Sequence, residues 1–135
     1  MSDKAAFQLS SPATLASPPG YSHLAIVSAG RLVFVSGQVA LDRSGNVVGK
    51  DDFRAQARQV FENLRAALAG AGGSFRDVIK LNTYVLDMAG LPQLRAVRDE
   101  YVDTASPPAS TTVQVARLFR PEFLLEVEAI AVVGR

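Results

Sequence analysis

The sequence contains no cysteine and a single histidine, His23. Without thiols there is no disulfide, no thiolate nucleophile and no thiolate-bound metal, and one imidazole does not make a histidine metal cluster. Redox and zinc chemistry are set aside, and no cofactor is expected. A charge excess is lacking too: 14 Lys and Arg stand against 13 Asp and Glu, and the basic residues are scattered instead of forming a stripe. Nothing there tracks a phosphate backbone, so nucleic acid is not an expected partner. No apolar run reaches the roughly 18 residues that suggest a membrane helix, and the first residues lack the charged-then-apolar layout of a signal peptide. The expectation is a cytoplasmic protein with no membrane partner. Phosphate-cradling glycine loops precede a helix, whereas Gly70, Gly72 and Gly73 follow one, so a nucleotide site is not indicated.

What is there is apolar content, 48% of 135 residues, enough for one domain of ordinary size over residues 1–135. Pro12, Pro18 and Pro19 mark residues 1–20 as an irregular arm, with one short strand around Phe7 to Ser10. His23 to Ala29 and Arg31 to Gly37, separated by Gly30, read as a hairpin. Asp51 or Asp52 caps a helix with Phe53, Ala57, Val60, Phe61, Leu64 and Leu68 at spacings of three and four. Val78 to Leu86 reads as a strand, and Leu91 to Val102 as a second helix that Pro107 and Pro108 cannot continue. Ser110 to Arg117 and Leu124 to Val133 read as a closing pair of strands about a turn near Pro121. This order predicts an α+β fold: a mixed sheet, six-stranded with the arm's strand included, and both helices on one face. The other face would be left partly apolar, so an oligomer is expected.

Period two places Glu126 and Glu128 on one face of the last strand, with Ile130 and Val132 continuing it. One glutamate in a cleft, its pKa raised by partial burial, could act as a general base; the ordinary alternative is two solvated or paired carboxylates. Ser110, Thr112 and Gln114 share one face of the preceding strand, a polar and uncharged surface or simply a Thr-rich strand. No base is paired with Ser110, which argues against serine nucleophilic catalysis. Tyr21 and His23 follow a Pro-Pro-Gly turn, as pocket residues or as structural ones. Arg95 on the second helix and Arg117 at a strand end are cations near these features, or plain surface charges.

The segments Gly20-Tyr21-Ser22-His23, Val35-Ser36-Gly37-Gln38, Val78-Ile79-Lys80, Pro108 to Leu118 and Glu126 to Ala131 together resemble the RidA/YjgF family, in order along nearly the whole chain. The resemblance implies a chorismate-mutase-like fold and a homotrimer with a central β-barrel, helices outside, and small-molecule clefts between subunits. Members that deaminate enamines and imines hydrolyse 2-aminoacrylate and related compounds to 2-keto acids and ammonia. It further implies Glu126 as the pocket acid, Tyr21 as the pocket tyrosine, and Ser110 where the family keeps an arginine that grips the substrate carboxylate. Arg95 aligns with a family asparagine. A charge-assisted hydrogen bond contributes about 1.5 to 3 kcal/mol, so even one lost bond weakens the grip about 10- to 100-fold. Three readings follow: Arg95 supplies a relocated cation, the substrate lacks a carboxylate, or the cleft binds without catalysis. A hydrolase of the deaminase type, using Glu126 and Tyr21 with Ser110, Thr112 and Arg95 on the substrate, is the leading expectation. A non-catalytic binding trimer is the alternative and a ribonuclease the least supported.

Overall fold

The computed structural model describes residues 6–134; the first five residues of the expected arm lie outside them. Six strands and two α-helices follow in the order β1 (Phe7–Ser10), β2 (Leu24–Val27), β3 (Arg31–Gln38), α1 (Phe53–Gly70), β4 (Val78–Val85), α2 (Leu91–Arg98), β5 (Ala109–Gln114) and β6 (Leu125–Val133). The fold is α+β as expected, but the six strands do not form one sheet. β3, β6, β4 and β5, in that order, make a mixed four-stranded sheet, while β1 and β2 pair antiparallel as a separate ribbon.

Neither expected hairpin forms. β2 takes its partner from the arm, Phe7 opposite Val27 and Leu9 opposite Ala25, and β3 pairs instead with β6. Gly30 is the corner between them, with φ near 95°, pressed against the end of β6: a Cβ there would lie 2.6 Å from Val132 Cγ1 and 2.7 Å from the Gly134 carbonyl. The closing strands also part company. β5 runs parallel to β4, Lys80 opposite Ala109 through Val85 opposite Gln114, while β6 inserts between β3 and β4 antiparallel to both. The sheet therefore contains two crossovers, β3-α1-β4 and β4-α2-β5. Both step in the same direction across the sheet, and right-handed crossovers of one direction put both helices on one face.

α1 forms where Asp52 accepts a hydrogen bond from the Ala55 amide at 3.1 Å, satisfying a free donor of the first turn. Its stripe of Ala57, Val60, Phe61, Leu64 and Leu68 is buried against Leu81, Val85, Leu125, Val127 and Ala129. Each such leucine or phenylalanine contributes about 1.5 to 3 kcal/mol. α2 adds Leu94 and Val97 to the same core. It ends at Arg98, four residues before the expected Val102, where turns continue toward Pro107. Phe61, Phe75 and Tyr101 close the helix layer with ring centroids 5.3 to 5.9 Å apart.

The opposite face of the sheet carries no helix. On it Phe34 is 71% exposed, Leu32 55% and Val113 40%, beside half-buried Ile130. Large apolar side chains exposed together on one sheet face mark a surface made to be covered. The polar residues of the site stand among them.

Candidate functional site

On that uncovered face the registers bring Lys80, Asn82 and Tyr84 of β4 beside Ile130, Glu128 and Glu126 of β6. The two glutamates are in different situations. Glu128 is engaged: its Oε1 accepts from the Tyr84 hydroxyl at 2.7 Å and from Asn82 Nδ2 at 3.3 Å. That bond, first, then burial and the charges of Glu128 and Glu126 hold the Tyr84 hydroxyl above its ordinary pKa of 10.0, so it stays a donor. Glu126 makes no hydrogen bond or ion pair through its carboxylate among the described residues. It lies instead over β3. Between Val35 and Gln38 the β3–β6 ladder slips by one residue, a bulge at Ser36 and Gly37. The Glu126 carboxylate rests where a Cβ on Gly37 would be: Cδ would lie 2.7 Å and Cγ 3.0 Å from it. Gly37 leaves room here for the Glu126 side chain, and its backbone is not left-handed.

Two amide side chains of α1, seven residues apart, fix the segments that frame this acid. Gln56 is fully buried; its Nε2 donates to the Gly49 and Glu122 carbonyls at 3.1 and 2.8 Å, and its Oε1 accepts from the Leu124 amide at 2.9 Å. Asn63 Nδ2 donates to the Val39 and Leu41 carbonyls at 3.0 and 2.9 Å. One clamp thus holds the segment two residues before Glu126, the other the segment just after Gly37. Amides paired in this way, Gln56 buried and Asn63 half-buried, are rigid supports, since leaving a buried group unpaired costs about 1 to 3 kcal/mol.

The sequence-predicted residues are not all brought together. Ser110 and Thr112 stand beside Leu81 and Thr83 in the parallel β4–β5 ladder, which puts them on the helix side of the sheet. Thr111 and Val113 share the face of Glu126, and Thr111 Oγ1 accepts from Lys80 Nζ at 2.9 Å. Glu126 is opposite Tyr84, and Ser110 opposite Leu81. Two strand spacings of about 4.8 Å and three residue steps of about 3.3 Å therefore separate them by about 14 Å. Tyr21 is on the Ser110 side. Ser22 next to it donates through its hydroxyl to the Pro107 carbonyl at 2.6 Å and through its amide to the Pro108 carbonyl at 3.2 Å, pinning the segment to the start of β5. His23 packs edge-on against Tyr21 at 5.2 Å and its Nε2 bonds the Ala16 carbonyl at 2.8 Å, a structural role. Arg95 is exposed on α2, in the layer behind the sheet, and does not join Glu126; Arg117 is exposed beyond β5.

Lys80, Asn82 and Tyr84 lie in a segment read only as a strand, and Gln56 and Asn63 lie on the first helix outside the apolar stripe that marked it. Two surface cavities are lined without Glu126. One of about 600 Å³ opens beside Gly37. The other, of about 540 Å³, lies under the arm against Phe75, Arg76 and Pro108 and contains none of the predicted residues.

A mixed four-stranded sheet, helices on one side and an acid row on the other, defines the class to which the comparisons with known proteins point. The Endoribonuclease L-PSP family model matches residues 11–133, and the chain belongs to this family, whose members here bear the RutC, RidA and YjgF names. A RutC family protein of Pyrococcus horikoshii is 40% identical over 105 residues, 78% of this chain and 82% of that protein. The 3-aminoacrylate deaminase RutC of Acinetobacter baylyi is 35% identical over 114 residues, 84% of this chain and 89% of that protein. A Rid family protein of unknown function from Yersinia pestis superposes with a TM-score of 0.84 at 34% identity, covering 96% of this chain and all of the other. No helix of the described residues is long and apolar enough to cross a membrane.

Proposed function

We propose that the protein is a deaminase-type hydrolase of enamines and imines, working as a homotrimer whose uncovered sheet faces turn toward one another. The observation that carries this reading is the Glu126 carboxylate: without a hydrogen-bond or ion-pair partner among the described residues, it lies over the Gly37 bulge between segments pinned by Gln56 and Asn63, next to a glutamate that is already engaged. A carboxylate free to accept a proton is what water activation needs. Glu126 takes a proton from water as the oxygen attacks the C=N carbon. With the imine nitrogen protonated, attack gives a neutral carbinolamine; Glu126 returns its proton to that nitrogen, the C–N bond breaks to release ammonia, and the hydroxyl proton passes to Glu126 as the carbonyl forms. The deaminase name of the Acinetobacter baylyi relative supports the reaction class.

On this reading Tyr21 comes from a neighbouring copy, since within one chain it stands at the β5 end of the sheet. Ser110 and Thr112, on the helix side of that edge strand, reach a ligand past the strand edge and not across the uncovered face. With Ser110 in place of the arginine that the resemblance implies, and Arg95 behind the sheet, the carboxylate needs another holder. The ribonuclease description of the family model finds no support in a chain of net charge +1 without a basic stripe.

The test is release of keto acid from freshly generated 2-aminoacrylate and 2-iminobutyrate. Acceleration over buffer, abolished by Glu126→Gln in a protein of unchanged melting temperature, is the expected result. Ligand-dependent thermal stabilisation without turnover of any imine would instead establish the non-catalytic binding trimer.

A further inference from the structure

At the level of Glu126 the uncovered face is asymmetric. The registers set Tyr84 of β4 directly opposite Glu126, and Val113 of β5 directly beside Tyr84. On the other side stands β3, where Gly37 has no side chain and leaves the space that the Glu126 carboxylate fills. Directly opposed residues of an antiparallel pair have Cβ atoms only about 4.5 to 5.5 Å apart. The β4 side of Glu126 is therefore taken by an aromatic ring backed by a β-branched side chain, while the β3 side is open. The ring is also anchored. Its hydroxyl donates diagonally to Glu128 Oε1 at 2.7 Å, and Asn82 Nδ2 donates to the same oxygen at 3.3 Å, so the far end of the tether is itself held. The hydroxyl keeps its proton to a pH above the ordinary tyrosine value of 10.0, so the tether is intact at neutral pH.

We infer that Tyr84 is a positioning residue for Glu126: its ring, locked by Glu128, closes the β4 side and keeps the reacting carboxylate over Gly37. The inference rests on Glu126 being the reacting acid. It gives Glu128 a part that needs no proton transfer, since this glutamate holds the tyrosine that confines its neighbour. It also separates the two glutamates of one face: Tyr84 and Asn82 engage one, and the Tyr84 ring turns the other toward β3. A glutamate side chain has three staggered wells at χ1 and three at χ2. Equal access to the wells of one angle leaves about a third of the molecules in the working one, and of both angles about a ninth. Opening the β4 side should thus lower the fraction of Glu126 over Gly37, and kcat with it, by about three- to tenfold. KM should not move, because Tyr84 acts through Glu126 and not on the substrate.

Tyr84→Val in the full-length protein is the test, since valine is a good strand former and too short to close the β4 side. Release of keto acid from 2-iminobutyrate should show kcat lowered about three- to tenfold with KM unchanged. Tyr84→Phe, which keeps the ring and frees it from Glu128, should fall in the same direction by less. Gly37→Ala supplies a readout that a merely structural tyrosine would not move. Alone it should cost about 100-fold, and the double variant Tyr84→Val, Gly37→Ala should be no slower, because both displace one carboxylate. Multiplied costs in the double variant, or wild-type kcat in Tyr84→Val, overturn the inference. A measurement without turnover separates it from the reaction. In the wild type the Glu126 Hγ protons should give a strong nuclear Overhauser contact to the Gly37 Hα protons, and Tyr84→Val should weaken it. A contact of undiminished strength overturns the inference whether or not imines are hydrolysed. Should Tyr84→Val not fold, wild-type kcat and contact in Tyr84→Phe overturn it instead. Failure of the deaminase reading looks different: a weakened contact in the variant, with no keto acid released by the wild type, leaves Tyr84 confining Glu126 and removes the reaction.

Discussion

Gly37→Ala separates what the bulge does for folding from what it does for Glu126. The backbone of Gly37 is not left-handed, so alanine meets no φ strain, and a glycine-to-alanine change at a compatible site gains about 0.4 to 1 kcal/mol from the unfolded chain. The atoms nearest the new methyl belong to the Glu126 side chain, whose Cδ and Cγ would lie 2.7 and 3.0 Å away. That side chain is flexible and half-buried, and moving it out of its rotamer costs about 0.5 to 1.5 kcal/mol. The two effects nearly cancel, so the melting temperature should move by less than about 4 °C. Catalysis should not be spared, because displacing a catalytic group by about 1 Å costs about 100-fold. Initial rates of keto-acid release from 2-iminobutyrate should therefore fall about 100-fold in kcat while the far-ultraviolet circular dichroism is unchanged. The double variant Gly37→Ala, Glu126→Gln should be no slower than Glu126→Gln alone, since both act through one carboxylate. Wild-type turnover in a folded Gly37→Ala protein would refute the placement of Glu126 as the reacting acid.

Two further outcomes follow from the supports of the site. Gln56→Leu keeps the volume of a fully buried side chain but strands the Gly49 and Glu122 carbonyls and the Leu124 amide; denaturant unfolding should show a loss of about 3 to 5 kcal/mol. Tyr84→Phe tests the engaged glutamate through pH. The Tyr84 hydroxyl is held above 10.0 in the fold, mainly by its bond to Glu128, so its stabilisation is full below the unfolded value and lost as pH rises through the folded one. Unfolding free energy measured from pH 8 upward should fall less steeply in Tyr84→Phe than in the wild type, with the remaining alkaline loss due in part to Tyr101, whose hydroxyl is raised chiefly by burial.

The elements were legible where one local pattern decided them. α1 showed in its three-and-four spacing and its Asp cap, and β6 in the alternation of Glu126, Glu128 and Ile130 with buried Val127, Ala129 and Ala131. Pairing was not legible, because adjacency in sequence stood in for adjacency in space. β2 next to β3, and β5 next to β6, looked like hairpins; only the packing of both crossovers on one face sends β6 between β3 and β4. That error carried through to the site. Grouping Ser110 with Thr112 on one face was right, but which face depends on the register with β4, and Leu81 opposite Ser110 puts them on the helix side. The free acid and its glycine were visible as separate segments. Their contact across the bulge was not, since it joins residues 37 and 126 through a one-residue slip that no local pattern announces.

The layout of half-sites across the sheet limits how copies can assemble. Gly37 lies on the β3 edge strand, with Glu126 over it from the adjacent β6, while Tyr21, pinned beside Pro108, lies at the start of the opposite edge strand, β5. An isologous dimer joined edge to edge through β3 places β3 edge on β3 edge and does not unite Glu126 with Tyr21. A heterologous contact places the β5 edge of one copy on the β3 edge of the next, and it ends in a closed ring only if the rotation closes. The proposed trimer is such a ring, with one shared site at each junction. Co-expression of Glu126→Gln with Tyr21→Phe, each inactive alone, distinguishes the two arrangements. In randomly mixed rings a junction has an intact Glu126 with probability one half and an intact Tyr21 with probability one half, so activity should return to about a quarter of wild type. A site contained within one chain would have one defect in every copy, and mixing would restore nothing.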